Sequence, residues 1–442
     1  MAKRAPPPTL FKIDENPRPE GLAPRGRGAA RVVKPNRRQV ELHARDLDSL
    51  LPHEHRARAF WRVLESLDLA KFYERIEARE EQAGRPAIDP MILIALWLYA
   101  TAEGIGSARE IERLCSSHDA FRWICGGVSV NHHTLSDFRV QSGNALDDLM
   151  TQVLSVLLHN QLIAIKRVAH DGTRVRTSAG AASFRREPRL REWQQIAREQ
   201  IERLKREADR PEDKRPPRKR AAEERAARQR EERLTQALEE LAKAREAKGS
   251  EEEKENVRAS STDPEARVMK MADGGFRPAY NVQLTADTES RVIVGVGVTN
   301  SGSDSSMLQP ALKEMERRTG RKPQEVLVDG GFVNLNAIDD SAAEGVTVYA
   351  PPMQKKPTVD PTARKEGDTD AVAAWRARMG TAEAKRIYKE RAATIESVNG
   401  DLRTWRGLDR LNVRGGTKVL CVALWSAIAY NLLRGLALGA FA

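Results

Sequence analysis

The chain has 442 residues, enough for two or three domains with hydrophobic cores, and its 74 Lys and Arg outnumber its 63 Asp and Glu by 11. This balance, with an isoelectric point near 9.6, favours a polyanionic partner. Three cysteines in so long a chain argue against a disulfide-built fold and favour a reducing cytoplasm, and the first apolar run comes too late for a signal peptide.

The first 40 residues form a basic segment rich in proline and glycine. They hold ten Lys and Arg against three Asp and Glu, in stretches such as APPP and PRGRG. A segment of this composition buries too little apolar surface to fold alone, so we predict a disordered basic arm over residues 1–40. A merely solubilising tail is the alternative that the sequence leaves open.

Residues 41–160 carry apolar residues at helical spacing and predict an all-helical domain. One helix should begin at Asp89 and Pro90, a capping residue followed by a proline in the first turn. Residues 134–137 should cap a helix that carries Arg139, a candidate contact to DNA phosphates or bases. We therefore expect a domain for DNA binding or for dimerisation, because helical domains of this kind serve either purpose.

From about residue 185 to residue 262 the composition changes to Arg, Lys, Glu, Gln and Ala. Two thin apolar stripes are separated by DRPEDKRPPRKR, which contains three prolines. This pattern predicts a hairpin of two long charged helices, inserted into the domain that spans residues 161–442. Most of its charges should face solvent, although the PPRKR tip could contact a phosphate backbone.

The rest of the chain alternates strands and helices. Strands are predicted for an apolar run ending at Asp171 and for residues 279–287, 291–300, 324–331 and 346–352. Helices are predicted for residues 304–318, 334–342, 372–406 and 417–436. The last is interpreted as a buried core helix, because Asn431 and Arg434 interrupt it as a membrane span, and we expect no membrane partner. This order predicts the α/β class, with helices flanking a mixed sheet.

Two predicted strands end in an Asp-Gly pair, at Asp171 in VAHDGTRV and at Asp329 in QEVLVDGG. If the strands run side by side to the same edge, the two carboxylates lie within a few ångströms, where like charges are unfavourable without a cation. Mg²⁺ prefers such oxygen ligands, so the pair predicts a metal-assisted phosphoryl-transfer site. Turn chemistry is the alternative, because Asp-Gly commonly ends a strand.

A third acid can join this pair from IYKERAATIESVNGDLRTW, residues 387–405. If this segment forms one helix, five polar side chains fall within an arc of about 140° on or beside its buried face. They are Tyr388, Arg391, Glu396, Asn399 and Arg403. Glu396 could complete the metal site, and the two arginines could bind phosphate oxygens. Intrahelical ion pairs are the alternative.

Three further polar residues are given structural roles. Asp304 is interpreted as a helix N-cap and Asp287 as part of a hairpin turn. His170 should point to the opposite side of its strand from Asp171, because side chains alternate along a strand.

Taken together, VAHDGTRVR, VLVDGGFVN and YKERAATIESVNGDLR resemble the DDE transposases of bacterial insertion sequences, in the branch with an RNase H-like core. DPMILIALWLYATAEGIGSAREIERLC and HHTLSDFR resemble the helical N-terminal domain of that branch, and the similarity covers most of residues 55–436. One departure is Arg403, which stands where lysine is commoner; it keeps the charge but changes the geometry of a phosphate contact.

The resemblance implies an RNase H-like catalytic domain over residues 161–442, in which Asp171, Asp329 and Glu396 hold two Mg²⁺ ions, with Mn²⁺ as a substitute. It implies DNA contacts from Tyr388, Arg391 and Arg403. The implied activity is cleavage of the element's ends and their joining to target DNA by a homodimer bound to the terminal inverted repeats. Two alternatives stay open: a catalytically inactive or domesticated DNA-binding protein, and a metal-dependent nuclease without strand transfer.

Overall fold

The computed structural model describes residues 45–78, 86–208, 216–353 and 360–441. The basic arm predicted for residues 1–40 lies outside these ranges, as does most of the proline-rich break in the charged insertion. All the elements named below belong to one compact unit, Asp46–Ala442.

The described chain begins with helices, as the apolar spacing predicts. After a 3-10 turn at Asp48–Leu50, they are α1 (Arg56–Glu65), α2 (Ala70–Tyr73), α3 (Pro90–Ala102), α4 (Ala108–Ser117), α5 (Asp119–Cys125), α6 (His132–Gln141) and α7 (Gly143–His159). The start of α3 is confirmed, because the Asp89 carboxylate accepts a hydrogen bond from the Met91 N–H at 2.9 Å and Pro90 follows it. Helix α3 is buried along almost its whole length, since the C-terminal helix Gly416–Ala437 packs against it together with α1, α5 and α6.

Helix α6 begins earlier than predicted. Its cap is Asn131, whose side chain accepts a hydrogen bond from the Thr134 N–H at 2.9 Å. Residues 134–137, predicted to be the cap, therefore lie inside the helix.

The sheet is mixed, which confirms the predicted α/β class. Its strands and a separate two-stranded pair are β1 (Arg167–Arg176), β2 (Phe184–Arg185), β3 (Ala259–Ser260), β4 (Arg267–Lys270), β5 (Phe276–Asp287), β6 (Ile293–Thr299), β7 (Glu325–Leu327) and β8 (Thr347–Tyr349). The large sheet has the order β4-β5-β1-β7-β8, with β6 also paired to β5. β1 is antiparallel to β5 and parallel to β7, and β7 is parallel to β8.

The prediction that the first strand ends at Asp171 is wrong. β1 continues to Arg176, and β5 pairs with it throughout, with Asp171 opposite Leu284. A local turn signal is overridden here, because β5 is a long partner that supplies ladder hydrogen bonds beyond the Asp-Gly pair. What ends near Asp171 is the parallel neighbour β7, so this part of β1 has one side free of a paired strand.

The charged insertion between β1 and β5 contains α8 (Glu187–Ala208), α9 (Pro217–Glu246) and the short α10 (Glu251–Asn256). Helices α8 and α9 pack together through a thin apolar seam made by Leu190, Ala197, Leu234, Ala237, Leu241 and Ala259. Their other faces carry many ion pairs, as expected for two charged helices that share a small core.

The C-terminal part of the chain contains α11 (Leu308–Thr319), α12 (Leu335–Ala343), α13 (Asp370–Gly380), α14 (Ala382–Tyr388), α15 (Ser397–Trp405) and α16 (Gly416–Ala437). The single helix predicted for residues 372–406 is wrong. It breaks after Gly380, where Thr381 caps α14, and again at a π-helical turn, Ala392–Glu396.

Helix α16 is long and apolar enough to cross a membrane by length and composition alone. However, 78% of its most apolar window is buried inside the protein. The Asn431 side chain accepts from the Ile293 N–H at 2.9 Å and donates to the Ile293 carbonyl at 2.7 Å, which fastens α16 to β6. This packing is that of a core helix, as predicted.

Candidate active site

The parallel pairing of β1 and β7 determines where the first two acids lie. Ala169 is paired with Leu327, so continuing the same register by two residues places Asp329 beside Asp171. Adjacent strands are about 4.8 Å apart, and both residues lie on the same face because side chains alternate. Asp329 is exposed just beyond the end of β7, where its carboxylate accepts a hydrogen bond from the Gly331 N–H. The sequence thus identified the right pair of strands.

Arg391 connects the first acid to the third. Its guanidinium donates to Asp171 Oδ2 and to Glu396 Oε1, both at 2.9 Å. The Arg391 side chain is 12% exposed, whereas that of Glu396 is 55% exposed. Arg391 therefore forms ion pairs with two of the three candidate acids at once.

The π-helical turn makes this ion-pair bridge possible. In an α-helix, side chains five residues apart point about 140° away from each other. A π-turn closes i→i+5 hydrogen bonds instead, which brings Arg391 and Glu396 to the same side. The turn also packs on β1 and β5, so Arg391 reaches Asp171 in the middle of the sheet.

The site perturbs the ionisation of two of its groups. The net pKa of Asp171 is raised to about 6. Burial is the largest cause; Arg391 and the Gly172 N–H lower this pKa, and the charges of Asp329 and Asp304 raise it. Burial also raises the pKa of Tyr388, and Arg391 lowers it. The negative charges of Asp329, Asp171 and Glu396 raise this pKa further. Tyr388 and the three acids thus share one electrostatic environment, which is a mark of functional sites.

The raised pKa of Asp171 predicts how the stability of the fold depends on pH. Because the folded pKa of about 6 lies above the ordinary value of 3.8, the folded state favours the protonated acid, and stability falls as pH rises through this window. Asp171→Asn removes the cost of ionising this buried acid. With a metal chelator present, the free energy of unfolding of the variant minus that of wild type should therefore rise between pH 4 and pH 7, by up to about 3 kcal/mol. Urea unfolding at both pH values measures this.

The same substitution at the exposed Asp137 removes a carboxylate outside the site and serves as the control. A difference between Asp171→Asn and wild type that does not change with pH would contradict a raised pKa at Asp171.

The two other arginines predicted to bind DNA, Arg403 and Arg139, lie in different environments. Arg403 lies 3.5 Å from Asp409, and its side chain is 37% exposed. Arg139 instead points inward: it donates to the Gly106 carbonyl at 2.9 Å and stacks over Trp97 at 4.7 Å, and burial lowers its pKa to about 10. The Arg139 guanidinium is therefore engaged inside the protein.

Asp304 was misassigned from the sequence. It does not cap a helix, because α11 begins only at Leu308. Its Oδ1 accepts hydrogen bonds from Asn281 Nδ2 at 2.7 Å and Gln283 Nε2 at 2.9 Å, and Oδ2 lies 3.8 Å from Arg174. The available signal was NVQLT in β5, where alternate polar residues interrupt an apolar strand and need a polar partner.

The two remaining structural assignments are confirmed. Asp287 ends β5 and accepts hydrogen bonds from the N–H and hydroxyl of Ser290, at 2.9 and 2.7 Å. His170 lies on the face opposite Asp171, where it is 1% exposed and contacts Gln283 and Thr285 at 2.9 Å. Burial lowers the pKa of His170 to about 4.

The chemistry of the acids fits a hard divalent cation. Asp171, Asp329 and Glu396 offer only carboxylate oxygens, the donors that Mg²⁺ and Mn²⁺ prefer. The guanidinium between Asp171 and Glu396 shows that positive charge stabilises this position. In the parts of the chain that the structure describes, no three His, Cys, Asp or Glu side chains converge closely enough to hold a metal, and Glu396 is paired with Arg391.

A curled mixed sheet behind a helical N-terminal region is the architecture of an RNase H-like fold. Two family models match: "Transposase domain (DUF772)" over residues 45–141 and "Transposase DDE domain" over residues 255–432. The chain therefore belongs to the insertion-sequence DDE transposases. Asp329 and Glu396 lie inside the second match, and Asp171 lies outside both. No curated protein and no solved structure matches the chain significantly.

Proposed function

We propose that this transposase cleaves the ends of an insertion sequence and joins them to target DNA by two-metal phosphoryl transfer, with Asp171, Asp329 and Glu396 as its catalytic acids. The observation that carries the proposal is the parallel pairing of β1 with β7, which stops two residues before Asp171 and Asp329, together with Arg391 linking Asp171 to Glu396. These residues come from three separate segments, and turn chemistry or helix stability alone gives no reason for them to meet.

In this proposal the three acids hold two Mg²⁺ ions, or Mn²⁺, which supply activation of water or a 3′-hydroxyl and stabilisation of the leaving oxygen. The chain itself contributes charge and orientation. Arg391 is a planar donor already inside the site, suited to bind phosphate oxygens in two places at once. Tyr388 and Arg403 flank it along the chain and complete the proposed DNA contacts.

A cluster of arginines supports DNA binding outside the active site. Arg230 and Arg233 on α9 and Arg414 before α16 form no ion pair with the residues that the structure describes, although many basic residues of the insertion do. Burial lowers the pKa of Arg233, the positive charges of Arg414 and Arg230 lower it further, and the charge of Glu232 raises it. Arginines without a close ion pair suit a phosphate backbone.

One segment of chain holds these arginines together. Glu240 of α9 pairs with Arg267 at 2.6 Å, and Arg233 lies seven residues before Glu240, on the same face of the helix. The loop that carries Arg414 is tied to the same segment, because the N–H groups of Gly415 and Gly416 donate to Asp263 at 3.1 Å and Glu265 at 2.8 Å. The cluster is thus fixed by hydrogen bonds and ion pairs.

Reversing the charge of this cluster should weaken DNA binding. We expect Arg230→Glu with Arg233→Glu to lower affinity for any duplex and to reduce the slope of log K against log salt by about two, since each lost phosphate contact removes about 0.9. Fluorescence anisotropy over a salt series measures it. The control is Arg189→Glu with Arg203→Glu, which removes the same charge from arginines that are ion-paired. Equal losses in both double variants would contradict a specific surface.

The remaining parts of the proposal follow from the chemistry of transposition. Two DNA ends must be brought together, so we propose a homodimer bound to the terminal inverted repeats, with the basic arm and the helical N-terminal region as the reading elements. We propose a cytoplasmic protein, consistent with three cysteines that are all free thiols.

One assay separates the proposal from its alternatives. The full chain is incubated with Mg²⁺, a duplex bearing the element's terminal repeat and a supercoiled target plasmid. The proposal predicts cut ends and their covalent joining to the plasmid. Cut ends without joining would identify a nuclease, and binding without cutting an inactive DNA-binding protein.

A further inference from the structure

A row of polar side chains lies on the face of the sheet opposite Asp171. The β1–β5 register pairs His170 with Thr285 and Gly172 with Gln283, so these residues share one face. His170, Gln283 and Thr285 are 1%, 6% and 2% exposed. Polar groups buried this deeply are unfavourable unless each finds a hydrogen-bond partner.

Asp304 sets the direction of the hydrogen bonds along this row. An ionised carboxylate only accepts, so the Gln283 amide must turn its NH₂ towards Asp304 Oδ1, at 2.9 Å. The Gln283 carbonyl oxygen then faces His170 Nε2 at 2.9 Å, and that nitrogen must carry the proton. His170 Nδ1 is left as the acceptor, and the Thr285 hydroxyl donates to it at 2.9 Å.

This chain of hydrogen bonds touches both segments that carry the strand acids. His170 and Gly172 are the neighbours of Asp171 on β1. The His170 ring packs edge-on against Phe332, with 5.0 Å between centroids. Phe332 is 1% exposed and ends the 3-10 turn Gly330–Phe332, which begins directly after Asp329.

We propose that Asp304 is a positioning residue: through Gln283 it holds His170 in the Nε2-protonated tautomer, and the fixed ring keeps the Asp171 strand and the Asp329 turn in register from behind. Asp304 is thus not a member of the catalytic acid set. The catalytic part of this inference rests on the proposed function, whereas the tautomer does not.

Nitrogen NMR of the full chain labelled with ¹⁵N-histidine tests the inference directly. Long-range ¹H–¹⁵N spectra distinguish the two tautomers, and His170→Gln assigns the His170 signal among the eight histidines. We expect wild type to show protonation at Nε2 alone. Asp304→Ala frees the Gln283 amide to rotate, so both tautomers should appear. Asp304→Asn still offers an accepting oxygen to Gln283 and should restore the single tautomer.

The kinetic arm asks whether the relay positions the acids. In steady-state DNA cleavage, we expect Asp304→Ala to lower kcat by about ten- to a hundredfold, since small displacements of reacting groups have effects of this size. KM for DNA should stay unchanged, because the relay lies on the sheet face away from Asp171.

Three results would overturn the inference. The first is a wild-type His170 protonated at Nδ1, which needs no variant and decides the matter even if Asp304→Ala fails to fold. The second is an Asp304→Ala protein that keeps the Nε2 tautomer alone. The third is a changed tautomer with unchanged kcat, which removes the positioning role. A wild-type protein that shows the expected tautomer but never cleaves DNA would instead count against the proposed function.

Discussion

Asp171→Asn, Asp329→Asn and Glu396→Gln are each expected to reduce DNA cleavage by on the order of a thousandfold or more, because groups that act as one unit lose most of their effect when any member is removed. Each substitution keeps the shape of the side chain and removes one negative charge. Binding of terminal-repeat DNA should survive or tighten, since removing a carboxylate reduces repulsion of phosphates.

The measurement is the single-turnover cleavage rate with Mg²⁺, together with the dissociation constant for the same duplex. Glu383→Gln, an exposed residue at the start of α14, loses the same charge and should cleave like wild type. If any one of the three acid variants cleaves at the wild-type rate with intact DNA binding, that residue leaves the catalytic set.

Gly172→Ala is expected to destabilise the protein by about 1–3 kcal/mol, because an added Cβ has no room. Built at Gly172, that carbon would lie 2.5 Å from Gln283 Nε2, 2.6 Å from Asn281 Oδ1 and 2.7 Å from Asp304 Oδ1. Gln283 Nε2 and Asp304 Oδ1 are hydrogen-bonded to each other, and the Asn281 amide donates to Asp304 through Nδ2, so making room for the new Cβ disturbs these hydrogen bonds. Alanine in place of glycine usually stabilises a protein by about 0.4–1 kcal/mol, because the unfolded chain then has less conformational entropy. This stabilisation is too small to offset the steric clash at residue 172.

Urea unfolding measures the change, and an altered midpoint with an unaltered slope identifies a loss of native stability. Gly180→Ala is the control, since a Cβ there meets nothing within 4 Å. A Gly172→Ala protein as stable as wild type would show that the row behind Asp171 can rearrange freely.

The sequence was informative wherever the signal was local and repeated. Two apolar runs ending in Asp-Gly identified β1 and β7, whose parallel pairing reaches Ala169 and Leu327, two residues before Asp171 and Asp329. Asp89 with Pro90 identified the start of α3, and Asn431 with Arg434 identified α16 as a core helix. The family resemblance, and not periodicity, joined these pieces into one proposed site.

The rest depended on contacts between distant residues. β1 passes through Asp171 because β5 pairs with it, and an Asp-Gly pair read alone predicts a turn. The π-turn that brings Glu396 to Arg391 lies in a segment whose sequence predicted one continuous helix. Asp304 was interpreted as a local cap, although its partners lie more than 20 residues earlier on β5. No sequence pattern indicated that Arg139 would stack over Trp97.

The central claim is that Asp171, Asp329 and Glu396 bind metal at one place. Fe²⁺ with ascorbate, substituted for Mg²⁺, generates hydroxyl radicals that cut the polypeptide next to the bound ion, and mass spectrometry locates the cuts. We predict cuts near residues 171, 329 and 396 together, suppressed by excess Mg²⁺ and absent in Asp171→Asn. Cuts confined to other segments, or cuts near the three acids that Mg²⁺ does not suppress, would contradict a shared metal site.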